Sequence, residues 1–161
     1  MDTDNETENV NDSQEHEFVT FYIDDMLMGI DIQNVQEINR FNQYTDVPRS
    51  PDMVIGVINL RGKVITILDI RTILQLDQTD LNENSRNLVL NVDGETVGLL
   101  IDRISDVVTV KSFEIEQAPA NLAGIDGKNF HGIYKMDEDL LVILDVEELL
   151  RTEEALASSA S

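Results

Sequence analysis

The sequence predicts a mainly β protein made of two tandem, similar, five-stranded barrels, and three observations carry that expectation. Short runs rich in Val and Ile recur between turn residues, so that successive runs read as hairpins. Few of these runs alternate cleanly between apolar and polar residues, which is the pattern of strands covered on both faces. The third observation is an internal repeat. Gly56 to Leu74 lies without a gap on Gly132 to Leu150, and Phe18 to Ile38 lies on Asn87 to Val107. The matched pairs include Gly29 with Gly98, Asp24 with Asp93, Glu37 with Asp106, and Asp69 with Asp145. A unit this long is not a solenoid repeat. Two small barrels are the expected arrangement, since closure removes sticky edges. The units are residues 18–76 and 86–150, with 77–85 as the linker.

In chain order, residues 1–17 carry seven acidic side chains, no basic ones, and no large apolar residue besides Met1 and Val10. Such a segment buries too little to offset its chain entropy and is expected to be a disordered tail. Phe18 to Ile23 and Met26 to Ile32 form a hairpin turned at Asp24-Asp25, since Asp tolerates the left-handed conformation that tight turns need. Val35, Glu37 and Ile38 continue as an extended or briefly helical edge. Pro48 and Pro51 bracket a loop, because proline suits neither helix interior nor central strand. Val57 to Leu60 and Val64 to Ile70 make the second hairpin, with Arg61-Gly62-Lys63 at its tip.

Asp69, and its counterpart Asp145, stand where a helical turn begins and are expected to cap it; Asp145 with Glu148 has capping-box spacing. In the second unit, Leu88 to Val92 and Thr96 to Ile101 flank Asp93-Gly94, the strongest hairpin signal in the chain. Ile104 to Val110 is a further strand, and Phe113 to Ile125 a longer loop holding Pro119. Phe130 to Met136 and Leu140 to Asp145 close the unit. A last helix is expected from about Val146 to Ala157, so residues 151–161 are its end and a tail.

The chain has 161 residues, no Cys, no Trp and two His, with a formal net charge of −21. Disulfides, thiolate metal sites and a cysteine nucleophile are thereby excluded. The charge argues against nucleic acid or an anionic lipid surface as a direct partner. No cationic, apolar leader and no apolar run of membrane-spanning length is present, so a soluble, cytoplasmic protein is expected. The acidity also fits a salty cytoplasm, with stability rising as salt screens self-repulsion.

Little points to catalysis. No glycine-rich strand-to-helix phosphate loop occurs, and neither His16 nor His131 sits in a nucleophile motif. A hydrolase using Asp24, Asp25 or Asp93 is the remaining catalytic alternative, to be recognised by a metal or a deep pocket gathering those carboxylates. The two units instead differ at exposed positions. Arg61-Gly62-Lys63 stands opposite Asp137-Glu138-Asp139, and the loop before the last hairpin is longer in the second unit. Similar barrels with opposite tip charges suit an adaptor that holds two different partners.

Several motifs, in order and at their spacing, resemble the CheW family of chemotaxis adaptors. They are Gly29-Ile30-Asp31-Ile32, Val35-Gln36-Glu37-Ile38, Gly56-Val57-Ile58-Asn59-Leu60-Arg61-Gly62 and Ile67-Leu68-Asp69-Ile70-Arg71. The likeness continues through Val97-Gly98 and Ala118-Pro119 to Leu149-Leu150. It implies SH3-like barrels, no catalysis, no cofactor, and a place in the cytoplasm at membrane-associated receptor arrays. The implied partners are the cytoplasmic tip of a methyl-accepting chemoreceptor and the regulatory domain of a CheA-type histidine kinase. Receptor contact is implied at Val35, Glu37, Ile38, Ile58 and Arg61. Kinase contact is implied at Val47 and along Ile115, Glu116, Ala120, Asn121 and Leu122. Glu116 and Ala120-Asn121 depart from the residues usual in the family, which implies a specialised kinase contact. A related role in a non-flagellar pathway is the alternative within binding proteins.

Overall fold

Ten of the twelve strands fall into two five-stranded sheets in the computed structural model, which describes residues 14–78 and 80–151. One sheet has the order β3 (Val35–Asn39), β6 (Arg86–Val92), β7 (Glu95–Ile101), β5 (Lys63–Asp69), β4 (Val54–Leu60). The other runs β8 (Arg103–Lys111), β1 (Glu15–Ile23), β2 (Met26–Asp31), β12 (Leu140–Leu144), β11 (Phe130–Lys135). Each is an SH3-like barrel, here called barrel one and barrel two. The remaining strands, β9 (Asn121–Leu122) and β10 (Ile125–Asp126), form a small hairpin inside the loop that precedes β11.

The repeat is visible in the strand register. Thr20 lies opposite Gly29 as Val89 lies opposite Gly98, and Ile143 pairs with Gly29 as Ile67 pairs with Gly98. Even the irregularities match: β4·β5 shifts register between Val54 and Gly56, β11·β12 between Phe130 and Gly132. The barrels, however, are not the units 18–76 and 86–150. Unit one lends β1 and β2 to barrel two and keeps β3, β4 and β5 in barrel one; unit two lends β6 and β7 to barrel one. The exchange is made by the parallel pairs β5·β7 and β12·β2. Local sequence pattern specifies hairpins, whereas parallel pairs join distant segments and leave no local mark.

This exchange explains why the strands are apolar on both faces. Leu88 and Leu90 of β6 enter a large core shared between the barrels, together with Phe21, Met28, Ile30, Leu99 and Ile101. Between them, Val89 points the other way, into barrel one with Ile58, Leu60, Ile65 and Ile67. Barrel two has the matching interior of Phe18, Leu27, Val110, Leu141 and Ile143. Each fully buried Leu or Ile contributes on the order of 2 kcal/mol, and the shared core makes the two barrels one folding unit.

Gly56 and Gly132 show what the repeat keeps. A side chain at Gly56 would place its Cβ 2.6 Å from the carbonyl oxygen of Thr45, and one at Gly132 would lie 2.8 Å from that of Glu116. Both glycines admit a passing segment that bridges to the next strand residue, Thr45 to Val57 and Glu116 to Ile133.

Strand β1 begins inside the segment expected to be a tail. Glu15, His16 and Glu17 belong to β1, opposite Lys111, Val110 and Thr109. Edge pairing needs only backbone groups, so acidic side chains do not prevent it. Residues 1–13 and 152–161, including the rest of the expected tail and of the last helix, lie outside the described residues. Two short α-helices are described, α1 (Ile70–Ile73) and α2 (146–151). Asp69 caps α1 by accepting from Arg71 N at 3.0 Å, and Asp145 caps α2 by accepting from Glu148 N at 3.1 Å.

Candidate binding surfaces

The β4–β5 turn is Arg61-Gly62, with φ of 51° and 84°. Left-handed conformation at both positions defines the tight hairpin turn whose twist matches its strands. Asn59 steadies it by accepting from Gly62 N through Oδ1 at 3.0 Å. Arg61 then reaches to the far edge of barrel one. Its Nη1 donates to Glu37 Oε1 at 3.1 Å and its Nη2 to Glu37 Oε2 at 3.0 Å. The Arg61 side chain remains 73% exposed while that of Glu37 is 21% exposed. Arg61, on the hairpin tip, is thus a paired cation. Its charge is matched by Glu37, and the fork geometry holds the guanidinium plane fixed at the surface.

The other residues expected on this surface divide. Ile38 is exposed on β3 beside Glu37, and Val35 is half-buried against the shared core. Ile58 is only 4% exposed and packs inside barrel one. It is a support beneath the surface and not a contact on it, because alternate residues of β4 point inward and Ile58 falls on that phase with Leu60. Val64, unremarked in the sequence, is 70% exposed and lies directly across the hairpin from Asn59.

The second set sits mainly on the loop before β11. Glu116 is exposed, bridges to Ile133 through backbone hydrogen bonds of 2.8 and 2.9 Å, and has Lys135 Nζ 3.7 Å from its Oε2. Ala120 and Asn121 are exposed and line a cleft with Leu74, Gln75 and Lys128. Ile115 and Leu122 are half-buried anchors, the first on the interior of barrel two and the second on the shared core. Val47 is exposed but belongs to the Pro48 loop of barrel one.

A buried arginine is the feature the sequence reading missed. Arg71 Nε donates to Asp102 Oδ1 at 3.2 Å, and its Nη2 also donates to Asp102 Oδ2. Its Nη1 and Nη2 donate to Asp24 at 3.2 and 2.6 Å, and Nη1 donates to the Asp77 carbonyl at 2.9 Å. Asp24 N in turn donates to Asp102 Oδ2 at 2.7 Å. The clasp ties α1 of barrel one to the β1–β2 turn of barrel two and to the β7–β8 crossing. Hydrogen bonding to Arg71, opposed by partial desolvation, holds the Asp24 carboxyl below its ordinary pKa. Burial pulls the Arg71 pKa down, but the two carboxylates outweigh it and the net change is upward. Only Asp24 lies within tight sequence distance of a turn motif, so no spacing rule links these three residues.

Of the carboxylates of the hydrolase alternative, Asp24 is engaged by Arg71, and Asp93 stands in a different hairpin turn, where it lines a cleft with Glu95 and Glu147. What the fold and surfaces define is a protein-binding module: two joined barrels offering a fixed ion pair on one and a long decorated loop on the other.

The comparisons make this specific. The family model for the CheW-like domain matches residues 17–154. The chain is 34% identical to the chemotaxis protein CheW of Klebsiella aerogenes over 86% of this chain and 83% of that one. It is 35% identical to CheW of Helicobacter pylori, over 84% and 81% respectively. The crystal structure of the scaffolding protein TtCheW from Thermoanaerobacter tengcongensis superposes with a TM-score of 0.77 at 28% identity, covering 84% of this chain and 88% of that one. The chain belongs to the CheW family and is a non-catalytic chemotaxis adaptor. No helix among the described residues is long and apolar enough to cross a membrane.

Proposed function

We propose that this adaptor couples the cytoplasmic tips of methyl-accepting chemoreceptors to a CheA-type histidine kinase, in the cytoplasm at membrane-associated receptor arrays. The receptor binds barrel one at Glu37, Ile38 and Arg61, with Val35 at the margin and Ile58 holding the strand from beneath. The kinase regulatory domain binds the loop carrying Ile115, Glu116, Ala120, Asn121 and Leu122, with a further contribution from Val47.

The observation that carries this reading is the bidentate Arg61–Glu37 pair beside exposed Ile38. A rigid charged fork next to an apolar side chain is what a specific, reversible protein contact uses: the apolar residue supplies the desolvated centre and the charges set orientation. Measuring binding of a receptor-tip fragment and of a kinase regulatory domain separately, on Ile38→Asp and Asn121→Asp variants, tests the assignment. Ile38→Asp is expected to weaken only the receptor fragment and Asn121→Asp only the kinase domain. The reverse pattern overturns it.

A further inference from the structure

The internal repeat allows the two seams between the barrels to be compared residue by residue. At the first seam Arg71 of α1 meets Asp24 of the opposite barrel's hairpin turn. The repeat places Glu147 where Arg71 stands and Asp93 where Asp24 stands. The structure puts these equivalents together, since Glu147 and Asp93 line one cleft with Val92, Glu95, Leu150 and Arg151. Asp93, Glu95 and Glu147 are all exposed. Arg151, the cation of that cleft, is paired with Glu148 at 2.6 Å. One seam is therefore closed by a buried cation between two carboxylates, whereas the cleft at its twin is lined by three carboxylates, Asp93, Glu95 and Glu147, and by Arg151.

We infer that α2 is an ionic-strength-dependent latch: it detaches locally from the barrel seam when counter-ions are scarce, whereas α1 stays clasped. Like charges lining one cleft repel through water with a range of about 30 Å at 0.01 M salt and about 3 Å at 1 M. The opposing force is apolar. Val146 and Leu149 are buried in the shared core and Leu150 packs against it. Detachment uncovers these side chains and Val92 without opening either barrel, because α2 contributes no strand pairing. Elements held by few apolar anchors open independently of the global transition, and a net charge of −21 on the whole chain adds to the repulsion.

Hydrogen–deuterium exchange of the intact protein in low and high KCl tests this. Amides of 146–151 are expected to exchange roughly three- to tenfold faster in low salt, with amides of 70–76 changing much less. Glu147→Arg puts a cation at the position equivalent to Arg71, in the cleft with Asp93. It is expected to slow exchange of α2 in low salt to the high-salt value and to abolish the salt response. Glu147→Gln is expected to fall between the two. Equal salt responses in α1 and α2, or no change of α2 exchange in both variants, overturns the inference.

Discussion

Arg61 closes onto Glu37 through two hydrogen bonds of 3.1 and 3.0 Å, and so joins the β4–β5 turn to β3 at the opposite edge of the same barrel. An exposed ion pair adds little to stability, typically below about 1 kcal/mol. Its value lies in holding a planar cation at a fixed place on a surface.

Charge reversal there is expected to act on binding more than on folding. Arg61→Glu and Glu37→Lys should each leave the circular dichroism spectrum unchanged and weaken a receptor-tip fragment by roughly tenfold or more. The exchanged pair, Arg61→Glu with Glu37→Arg, should recover thermal stability but not binding, because the cation then stands on the wrong edge. Full recovery of binding would show that the partner reads only the pair's net charge.

Arg71 is a stability residue by contrast. Its side chain is buried and donates to Asp24, Asp102 and the Asp77 carbonyl. Arg71→Ala is expected to lower unfolding free energy by about 2 kcal/mol, since charge-assisted hydrogen bonds are lost and Asp102 is left half-buried without its cation. Arg71→Lys should restore little, because a point-like ammonium cannot span both carboxylates. Denaturant unfolding of the three proteins measures this.

The same clasp has a pH signature. The Asp24 carboxyl is depressed from its usual 3.8 by Arg71. A depressed carboxyl contributes its stability fully above the ordinary value and loses it as pH falls below about 4 through the folded-state value. Wild type should therefore lose stability more steeply than Asp24→Asn over that acid range, and the two curves should run parallel near neutrality. Parallel curves throughout would remove Asp24 from the clasp's energetics.

Gly132 links the fold to the second surface. A Cβ there would lie 2.5 Å from Ile115 Cγ2 and 2.8 Å from the Glu116 carbonyl oxygen, so the passing segment must shift to admit it. Gly132→Ala is expected to cost roughly 1–3 kcal/mol and to push the 115–116 segment off β11. Kinase-domain binding should weaken while receptor-fragment binding is kept. Loss of both would place the two surfaces on one coupled element.

Hairpins, turns and helix caps were legible in the sequence because each depends on neighbours: Asp93-Gly94 turns, Asp69 and Asp145 cap. The duplication was legible as well. The exchange of hairpins between barrels was not, since β5·β7 and β12·β2 pair segments far apart in the chain. Inward and outward phases were equally hidden. In strands apolar on both faces, nothing local separates buried Ile58 from exposed Val64, and only the position of the partner barrel decides. Arg71 escaped notice because its partners come from two other turns. Arg61 stood out as the cation on a hairpin tip and Glu37 through family likeness, and their direct contact emerged only in three dimensions.

The central claim is that one passive body holds two unlike proteins on separate surfaces. Co-purification with a receptor-tip fragment and a CheA regulatory domain, singly and together, tests it most directly. Wild type should recover both, Arg61→Glu the kinase domain alone, and Glu116→Lys the receptor fragment alone. Loss of both partners by either variant, or of neither by both, would contradict the account.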